Sequence, residues 1–298
     1  MTANQDPRPA VGLIGLGNMG SALAERLLDG GYALRVHNRS PEKTRALADR
    51  GATVAGSAAE LAAGVDLVFT SLSDDGALEA VAGEVAAAAR PGTTLVDTST
   101  VSPAASARVA SLAGRASMEY LRAPVSGNPG VVRAGNVTFI VSGSPAAIER
   151  ADPALRAIGR AVHVVGDAEQ ARIVKLAINL MIAGLAELMA EALVLAESAG
   201  VSREALLETM GDSAVGAPFV KYKTEPLLQG DYSATFTTNL MEKDLDLVLD
   251  AAAEGGVRLP VADELKTLLR ATVEAGYGDD DFMALYLRLR SADQEVLR

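Results

Sequence analysis

Residues 10–28, AVGLIGLGNMGSALAERLL, decide the fold of this chain. The stretch begins with a short apolar run typical of a buried strand, and from Ser21 onward it has the pattern of a helix. The glycines between them form G-x-G-x-x-G, which permits a tight turn and a close approach of the backbone to a pyrophosphate at the helix N-terminus. We therefore predict a dinucleotide-binding turn made of Gly15, Leu16, Gly17, Asn18, Met19 and Gly20.

The same alternation of strand and helix continues to Gly166. Short apolar runs predict strands at 11–14, 34–37, 67–71, 94–97, 137–142 and 162–165. Helical patterns lie between them at 21–29, 41–50, 77–89, 103–113 and 145–158. Pro41, Pro103 and Pro145 each follow a serine, an arrangement that begins helices. Alternating units of this kind predict a Rossmann domain with a doubly wound, mostly parallel sheet.

Beyond Gly166 the sequence predicts only helices. They are expected at 168–199, 202–210, 240–253, 261–275 and 281–290. The first is unusually long, and Gly200 is expected to end it as its C′ residue. We therefore divide the chain into an NADP-binding α/β domain, residues 1–166, and an all-helical domain, residues 167–298, for substrate binding and dimerisation.

The chain is acidic, with 27 Lys and Arg residues against 38 Asp and Glu residues and a net charge of −11. Such a protein has no general attraction for nucleic acid or for an anionic membrane. An anionic ligand must instead be bound by a few placed cations and backbone amides. This composition favours a small-molecule enzyme with no nucleic-acid partner.

Residue types exclude further kinds of site. The chain has no Cys, so disulfides, Cys nucleophiles and thiolate metal sites are absent. His37 and His163 fall in predicted strands and are interpreted as structural, so no metal site is expected. The N-terminal segment MTANQDPRPA lacks a signal-peptide pattern. Asn179, Glu187 and Glu191 interrupt the most apolar segment before it approaches a membrane span of roughly 20 residues. We expect a cytoplasmic protein with no membrane partner.

The end of the second strand bears on the choice of nucleotide. An acidic residue there would bind the ribose hydroxyls of NAD and repel a 2′-phosphate. This chain instead has Asn38, Arg39 and Ser40, with Lys43 nearby. A guanidinium can bind a phosphate through two N–H groups, although an ordinary solvated arginine is the alternative for Arg39. We expect NADP(H) to be preferred, with NAD(H) possible.

The long helix carries two polar residues in the apolar stretch ARIVKLAINLM. Lys175 and Asn179 are four residues apart, so their side chains lie on one helix face. A lysine in apolar surroundings has a lowered pKa and can move protons near neutral pH. A lysine whose stem is buried while its ammonium reaches water is the alternative.

Five linked motifs resemble the β-hydroxyacid dehydrogenase family: GLGNMG, DTSTVSP, APVSG, the K-x-x-x-N of the long helix, and EKDLDLVLDAA. They follow one another in the family's order from about residue 11 to residue 290. The family includes 3-hydroxyisobutyrate dehydrogenases, tartronate semialdehyde reductases and glyoxylate/succinic semialdehyde reductases. The resemblance implies an NAD(P)-dependent oxidoreductase that interconverts a small β-hydroxy acid and its semialdehyde, with a C-terminal domain like that of 6-phosphogluconate dehydrogenase.

The resemblance also assigns roles to individual residues. It implies that Lys175 is the general acid/base and that Asn179 holds the substrate oxygen. It places Ser126 and Gly127 on the substrate carboxylate and Thr100 beside the nicotinamide and the substrate. Further positions are implied at the cofactor for Leu72, Ser73 and Lys243 and at the substrate wall for Phe236. A plain turn at Ser126–Gly127, and a solvated Lys243 paired with Glu242 or Asp246, remain alternatives.

Two positions depart from the family's D-A-P-V-S-G-G. Arg122 replaces the acidic residue and either adds positive charge near the site or faces solvent. Asn128 replaces the second glycine, and its side chain is expected to narrow the substrate pocket while its backbone N–H still donates. The segment SLSDD, residues 71–75, replaces a more usual M-L-P, so cofactor contacts in that loop are expected to differ.

Three alternative functions can be compared by the residue each has at the position of Lys175, by added domains and by chain length. An imine reductase shares the two-domain plan but typically lacks a lysine at the position of Lys175. A non-catalytic dinucleotide-binding scaffold or sensor tends to lose that lysine or to add domains. A 6-phosphogluconate dehydrogenase has a considerably longer chain. The long apolar helix further implies pairing of subunits, and we expect a homodimer or homotetramer.

Overall fold

The protein is described by a computed structural model that covers residues 8–296, with side chains to residue 291. Residues 1–7, which hold most of the segment tested for a signal peptide, lie outside the described residues. The chain forms two compact units that divide between Lys175 and Leu176. The last strand ends at Gly166, and the division falls within the long helix that follows it.

The first unit is built on one sheet. Its strands are β1 (Val11–Ile14), β2 (Leu34–His37), β3 (Thr53–Val54), β4 (Leu67–Thr70), β5 (Thr94–Asp97), β6 (Glu119–Arg122), β7 (Val125–Ser126), β8 (Thr138–Ser142) and β9 (Ala161–Gly166). They are ordered β3-β2-β1-β4-β5-β6-β8-β7, with β9 beside β8. The pairs from β3 to β6 are parallel, and β8 runs antiparallel to β6 and β7. The predicted mostly parallel sheet is confirmed.

Helices cover both faces of this sheet. They are α1 (Asn18–Asp29), α2 (Arg45–Asp49), α3 (Ala58–Ala63), α4 (Asp75–Ala88), α5 (Pro103–Arg115), α6 (Pro129–Arg133) and α7 (Pro145–Ile158). Neighbouring residues of a strand point to opposite faces. Leu13 accordingly packs in a core with α1 and α7, whereas Ile14 packs in a second core with α3, α4 and α5. This is the doubly wound arrangement.

The serine-proline pairs begin helices in two different ways. The hydroxyls of Ser102 and Ser144 accept the backbone N–H groups of the residues three positions on, at 3.0 and 3.1 Å. Ser40 makes no such side-chain bond and precedes a 3-10 helix, Pro41–Thr44, rather than an α-helix. The single helix predicted at 41–50 is therefore divided between this segment and α2.

The second unit is helical. Its described helices are α8 (Gln170–Ser198, whose first turns belong to the first unit), α9 (Arg203–Asp212), α10 (Pro218–Gln229), α11 (Thr238–Glu254), α12 (Pro260–Thr272) and α13 (Leu285–Val296). A π-helical segment, Val273–Tyr277, and a 3-10 segment, Phe282–Ala284, lie between the last two. Gly200 ends α8 with φ of +79°. The N–H of Val201 donates to the oxygen of Ala196, the bond expected after a C′ glycine.

By length and composition alone, α8 could cross a membrane, since its most apolar window has a mean hydropathy of 1.8. The expectation that no segment approaches a span is therefore wrong by this criterion. One such helix is weak ground for a membrane span, because core helices meet the same criterion. Here Met189 and Leu193 are fully buried in the helical core with Leu245 and Tyr286.

Candidate active site

The glycine-rich turn has room for a ligand at its second glycine. Gly15 has a φ of +94°, and a Cβ there would lie 2.3 Å from the backbone oxygen of Ser71. A Cβ at Gly20 would lie 1.8 Å from the oxygen of Gly15. At Gly17, by contrast, a Cβ would meet nothing within 4 Å. The fold itself requires the first and third glycines. The second leaves the open space that a close pyrophosphate needs, so these residues fit a dinucleotide.

A groove of about 470 Å³ lies at this turn. It is lined by Leu16, Gly17, Asn18, Ser21, Lys43 and Arg133. Lys43 and Arg133 bring two cations to the start of α1, where the helix dipole also favours an anion. The guanidinium of Arg133 donates through Nε to Glu25 at 2.9 Å. Arg133 was not among the predicted site residues, and α6, which carries it, was not predicted.

Asn38 joins the glycine-rich turn to the segment after β2. Its Oδ1 accepts the N–H of Leu16 at 2.8 Å, and its Nδ2 donates to the oxygen of Ser40 at 3.0 Å. The amide thus holds the two segments of backbone beside the groove. The side chains of Arg39 and Lys43 are exposed there.

The loop after β4 is held by short polar contacts. The N–H of Leu72 donates to Ser99 Oγ at 2.9 Å, and Ser73 Oγ donates to Asp74 at 2.6 Å. Asp74 accepts the N–H of Ala77 and so caps α4. Asp74, one of the two acidic residues that depart from the family pattern, thus has a local role at a helix start. Leu72 is placed against the glycine-rich turn, next to Gly15.

A fully buried arginine lies beneath the loop after β5. Arg172, in the first turn of α8, donates to Asp97 Oδ2 at 2.5 Å, to the Tyr120 hydroxyl at 2.8 Å and to the backbone oxygen of Ser99 at 2.7 Å. Burial raises the pKa of Tyr120 to about 12, so its hydroxyl keeps its proton at neutral pH. Thr100, the residue expected beside the nicotinamide, follows Ser99 and is half-buried.

The segment expected at the substrate carboxylate contains a glycine with positive φ and a helix cap. Gly127 has a φ of +143°, which favours glycine there, and a Cβ would lie 2.9 Å from Val131. The half-buried Ser126 ends β7. Oδ1 of Asn128 accepts the N–H of Val131 at 2.9 Å, so the Asn128 side chain caps α6.

Arg122 does not face solvent, which was one of the two alternatives considered for it. It is 6% exposed, forms an ion pair with Glu169 and lies over the Tyr120 ring at 4.8 Å from the centroid. Its charge is therefore compensated within the first unit. Where the family has an acidic residue, this chain has Arg122, and Glu169, in the segment before α8, supplies the carboxylate that pairs with it.

Lys175 and Asn179 lie one turn apart on α8, as predicted from their spacing. Lys175 is half-buried and Asn179 is 3% exposed. In the helical unit, Nδ2 of Asn179 donates to Asp244 Oδ2 at 2.5 Å. Nζ of Lys243 forms an ion pair with Oδ1 of the same carboxylate at 2.9 Å. Asp244, which the sequence interpretation did not single out, therefore holds two of the predicted site residues.

The partners considered for Lys243 bind another lysine. Nζ of Lys266 lies 3.0 Å from Glu242 and 2.6 Å from Asp246. Phe236 is half-buried and meets the Phe282 ring edge-on, with centroids 6.0 Å apart. Both observations concern the helical unit alone.

The two histidines lie in strands. His37, in β2, forms a hydrogen bond through Nδ1 to the oxygen of Ala55 at 3.0 Å, and His163 is exposed in β9. Among residues 8–296, no group of three or more His, Asp or Glu side chains is arranged to hold a metal ion.

Comparison with known proteins assigns the family. Residues 10–166 match the family model described as the NAD binding domain of 6-phosphogluconate dehydrogenase. Residues 170–289 match a second family model, which is described as NAD-binding of NADP-dependent 3-hydroxyisobutyrate dehydrogenase. The 2-(hydroxymethyl)glutarate dehydrogenase of Eubacterium barkeri is 33% identical over 279 residues, 92% of this chain and 93% of the relative. The chain belongs to the β-hydroxyacid dehydrogenase family. The resemblance drawn from the five motifs is confirmed.

Solved structures agree with this assignment. The 3-hydroxyisobutyrate dehydrogenase of Mycobacterium tuberculosis, solved with L-serine, is 31% identical with a TM-score of 0.85, covering 95% of this chain and 99% of that one. An imine reductase from Myxococcus stipitatus, solved with NADP⁺, is 26% identical with a TM-score of 0.63, covering 94% and 100%. The imine reductase is thus the more distant in structure. This β-hydroxyacid dehydrogenase is an NAD(P)-dependent enzyme acting on CH–OH groups.

Proposed function

We propose that this enzyme interconverts a small β-hydroxy acid and its semialdehyde, with NADP(H) as the preferred cofactor and Lys175 as the general acid/base. The observation that carries the proposal is the pair Lys175 and Asn179 on one face of α8, with Asn179 fixed by the buried Asp244. A fixed amide and a lysine one turn apart can together meet a single substrate oxygen.

The proposed chemistry divides between cofactor and protein. The nicotinamide supplies hydride exchange with the carbinol carbon of the substrate. In the oxidative direction, neutral Lys175 accepts the hydroxyl proton as the C–H bond breaks. In the reductive direction, its ammonium donates a proton to the carbonyl oxygen. Asn179 donates an N–H to the same oxygen and keeps it within reach of the lysine.

The carboxylate of the substrate is assigned to the segment after β7. Ser126 supplies a hydroxyl, and the exposed Gly127 offers its backbone without a side chain. The side chain of Asn128 caps α6. We therefore expect Asn128 to contribute to the substrate pocket through its backbone N–H. Thr100, Phe236 and Lys243 complete the proposed set around substrate and cofactor.

The preference for NADP(H) is supported by the charges around the end of β2. The position that would carry an acidic residue in an NAD enzyme is Asn38, and its amide is bonded to backbone on both sides. Arg39 and Lys43 place exposed cations beside it. A 2′-phosphate adds charge that these cations can bind, whereas the ribose of NAD gains nothing from them.

A paired subunit belongs to the proposal. Met181, Leu188 and Leu195 are 76%, 63% and 72% exposed, and their spacing of seven residues puts them on one face of α8. Three large apolar side chains in a row are typical of a surface that another copy covers. We propose a homodimer or homotetramer formed through this face. A cytoplasmic location is also proposed, testable by cell fractionation.

A panel of substrates tests the reaction. NADPH and NADH oxidation would be followed with methylmalonate, tartronate and succinate semialdehydes, glyoxylate and one cyclic imine. We expect reduction of an acid-bearing aldehyde, faster with NADPH. Reduction of the imine alone would make the protein an imine reductase. Binding of NADPH without turnover of any member of the panel would count against this proposal and favour a dinucleotide sensor.

A further inference from the structure

Arg172 is the largest fully buried side chain of the described residues, and the reaction proposed above does not use it. It lies three residues before Lys175, in the same first turns of α8 and within the first unit. A guanidinium is costly to bury unless it is fully paired. The groups that pair with Arg172 therefore identify the segments of the chain that it connects.

Four groups accept hydrogen bonds from this guanidinium. Besides Asp97, the Tyr120 hydroxyl and the Ser99 oxygen, Ser106 Oγ accepts from Nε at 3.2 Å. These acceptors come from the end of β5, the loop after it, β6 and α5. One side chain of α8 thus joins four segments of the α/β unit.

The carboxylate at the centre of the network, Asp97, connects the network to two loops. Asp97 Oδ1 accepts from Thr70 at 2.7 Å and from Ser99 Oγ at 2.6 Å. Ser99 Oγ in turn accepts the N–H of Leu72 at 2.9 Å. The network therefore reaches the loop with Leu72, at the glycine-rich turn, and the loop with Thr100.

We propose that Arg172 is a positioning residue of the reaction, which fixes the turn of α8 that carries Lys175 against the loop that carries Thr100. The proposal rests on the proposed function of Lys175. A misplacement of about 1 Å at a proton-transferring group can lower a rate about 100-fold. A network that joins helix and loop through buried charge-assisted bonds prevents such a shift.

The chain offers a matched control in the helical unit. Arg203 donates to a carboxylate, Glu197, to the Tyr286 hydroxyl and to the backbone oxygen of Leu227. This set of acceptors is the same in kind as that of Arg172. Arg203 is less buried, with 19% of its side chain exposed, and none of these three partners is a proposed site residue.

The test compares Arg172→Lys and Tyr120→Phe with Arg203→Lys and Tyr286→Phe. Each variant is measured for thermal unfolding, NADPH affinity, steady-state kinetics and amide hydrogen exchange. We expect kcat to fall about 10- to 100-fold for Arg172→Lys and less for Tyr120→Phe, with the NADPH Kd changed less than about twofold. The control variants lose stability but keep kcat. Exchange should rise in residues 98–100 and 173–178 of the Arg172 and Tyr120 variants only.

The outcomes separate this proposal from the proposed function. If the Arg172 and Tyr120 variants turn over as fast as their controls at equal loss of stability, Arg172 is only structural and the proposal is wrong. If the wild type turns over no substrate, the proposed function fails first. Hydrogen exchange then decides alone whether Arg172 fixes the loop and the helix, and unchanged exchange in both segments overturns the proposal.

Discussion

Asn179 donates its amide N–H to the carboxylate of Asp244 at 2.5 Å, and neither residue is more than 3% exposed. A carboxylate accepts hydrogen bonds only, so it dictates which end of the Asn179 amide faces it. The same carboxylate pairs with Lys243. The orientation of the predicted substrate-binding amide therefore depends on a buried charge from α11.

This dependence predicts the effect of Asp244→Asn. An amide at this position can present either its oxygen or its nitrogen, so Asn179 loses its fixed orientation. We expect kcat/KM to fall about 10- to 100-fold, because a hydrogen bond to a charged group contributes roughly 1.5–3 kcal/mol. Asp246→Asn, which removes an exposed carboxylate bonded to Lys266, should leave kcat/KM within about twofold of wild type. Equal kinetics for both variants would contradict the role of Asp244.

The glycine-rich turn predicts opposite effects at two glycines. Gly17→Ala adds a Cβ to open space, so the fold should persist while the affinity for NADPH falls at least about tenfold. Gly20→Ala places a Cβ against the backbone of Gly15, and the free energy of unfolding should fall by about 1–3 kcal/mol or more. Thermal unfolding and fluorescence titration distinguish them. Unchanged NADPH affinity in Gly17→Ala would place the cofactor elsewhere.

Cofactor preference should respond to the end of β2. Arg39→Ala removes a cation from the proposed 2′-phosphate site, and Asn38→Asp adds a repelling carboxylate. We expect each variant to lower the ratio of kcat/KM for NADPH over NADH, and the double variant to lower it at least about tenfold. Arg45→Ala, an exposed cation that does not line the groove, is the control. No change in the ratio would remove Arg39 from the site.

The apolar face of α8 predicts a change of assembly. Leu188→Glu puts a charge in the middle of the exposed row, which a partner subunit would have to bury unpaired. Light scattering should report a dimer or tetramer for the wild type and smaller species for the variant. Glu191→Gln, an exposed polar position three residues on, should leave the mass unchanged. A monomeric wild type would contradict the proposed assembly.

Glu187 predicts a pH dependence of stability. Burial raises the pKa of its carboxyl above the usual value, with Arg288 at 3.3 Å opposing the shift. The folded state therefore holds a proton that the unfolded state releases, so this contribution falls as pH rises from about 4.5 through the raised pKa. Glu187→Gln should gain stability relative to wild type across that window and stay constant above it. Denaturant unfolding from pH 4 to 8 measures this, with Glu264→Gln, an exposed carboxylate that does not contribute to the shift, as control.

The features that could be predicted from the sequence are those that depend on residues close together in the chain. The strand, the glycines and the helix of residues 10–28 are neighbours in the chain, and so are Lys175 and Asn179. The strand β6 was missed because charged residues, Glu119 and Arg122, begin and end it. Arg122 is buried and pairs with Glu169, which is distant in sequence.

Other omissions have the same origin. The helix α10 was also missed, and it contains Pro226, a residue that usually interrupts a helix. Arg133, Arg172 and Asp244 each act through partners that only the fold brings close. Their residue types are ordinary surface types, and no spacing in the sequence marks them as buried or as lining the groove.

Hydride transfer in Lys175→Met tests the central claim most directly. NADPH oxidation in a single turnover, with the aldehyde that the wild type reduces best, would be measured beside NADPH affinity and thermal unfolding. The account predicts unchanged NADPH affinity, a folded protein and a rate lower by about 10²- to 10⁴-fold, the usual contribution of a general acid. A folded Lys175→Met variant that reduces the aldehyde at the wild-type rate would contradict it.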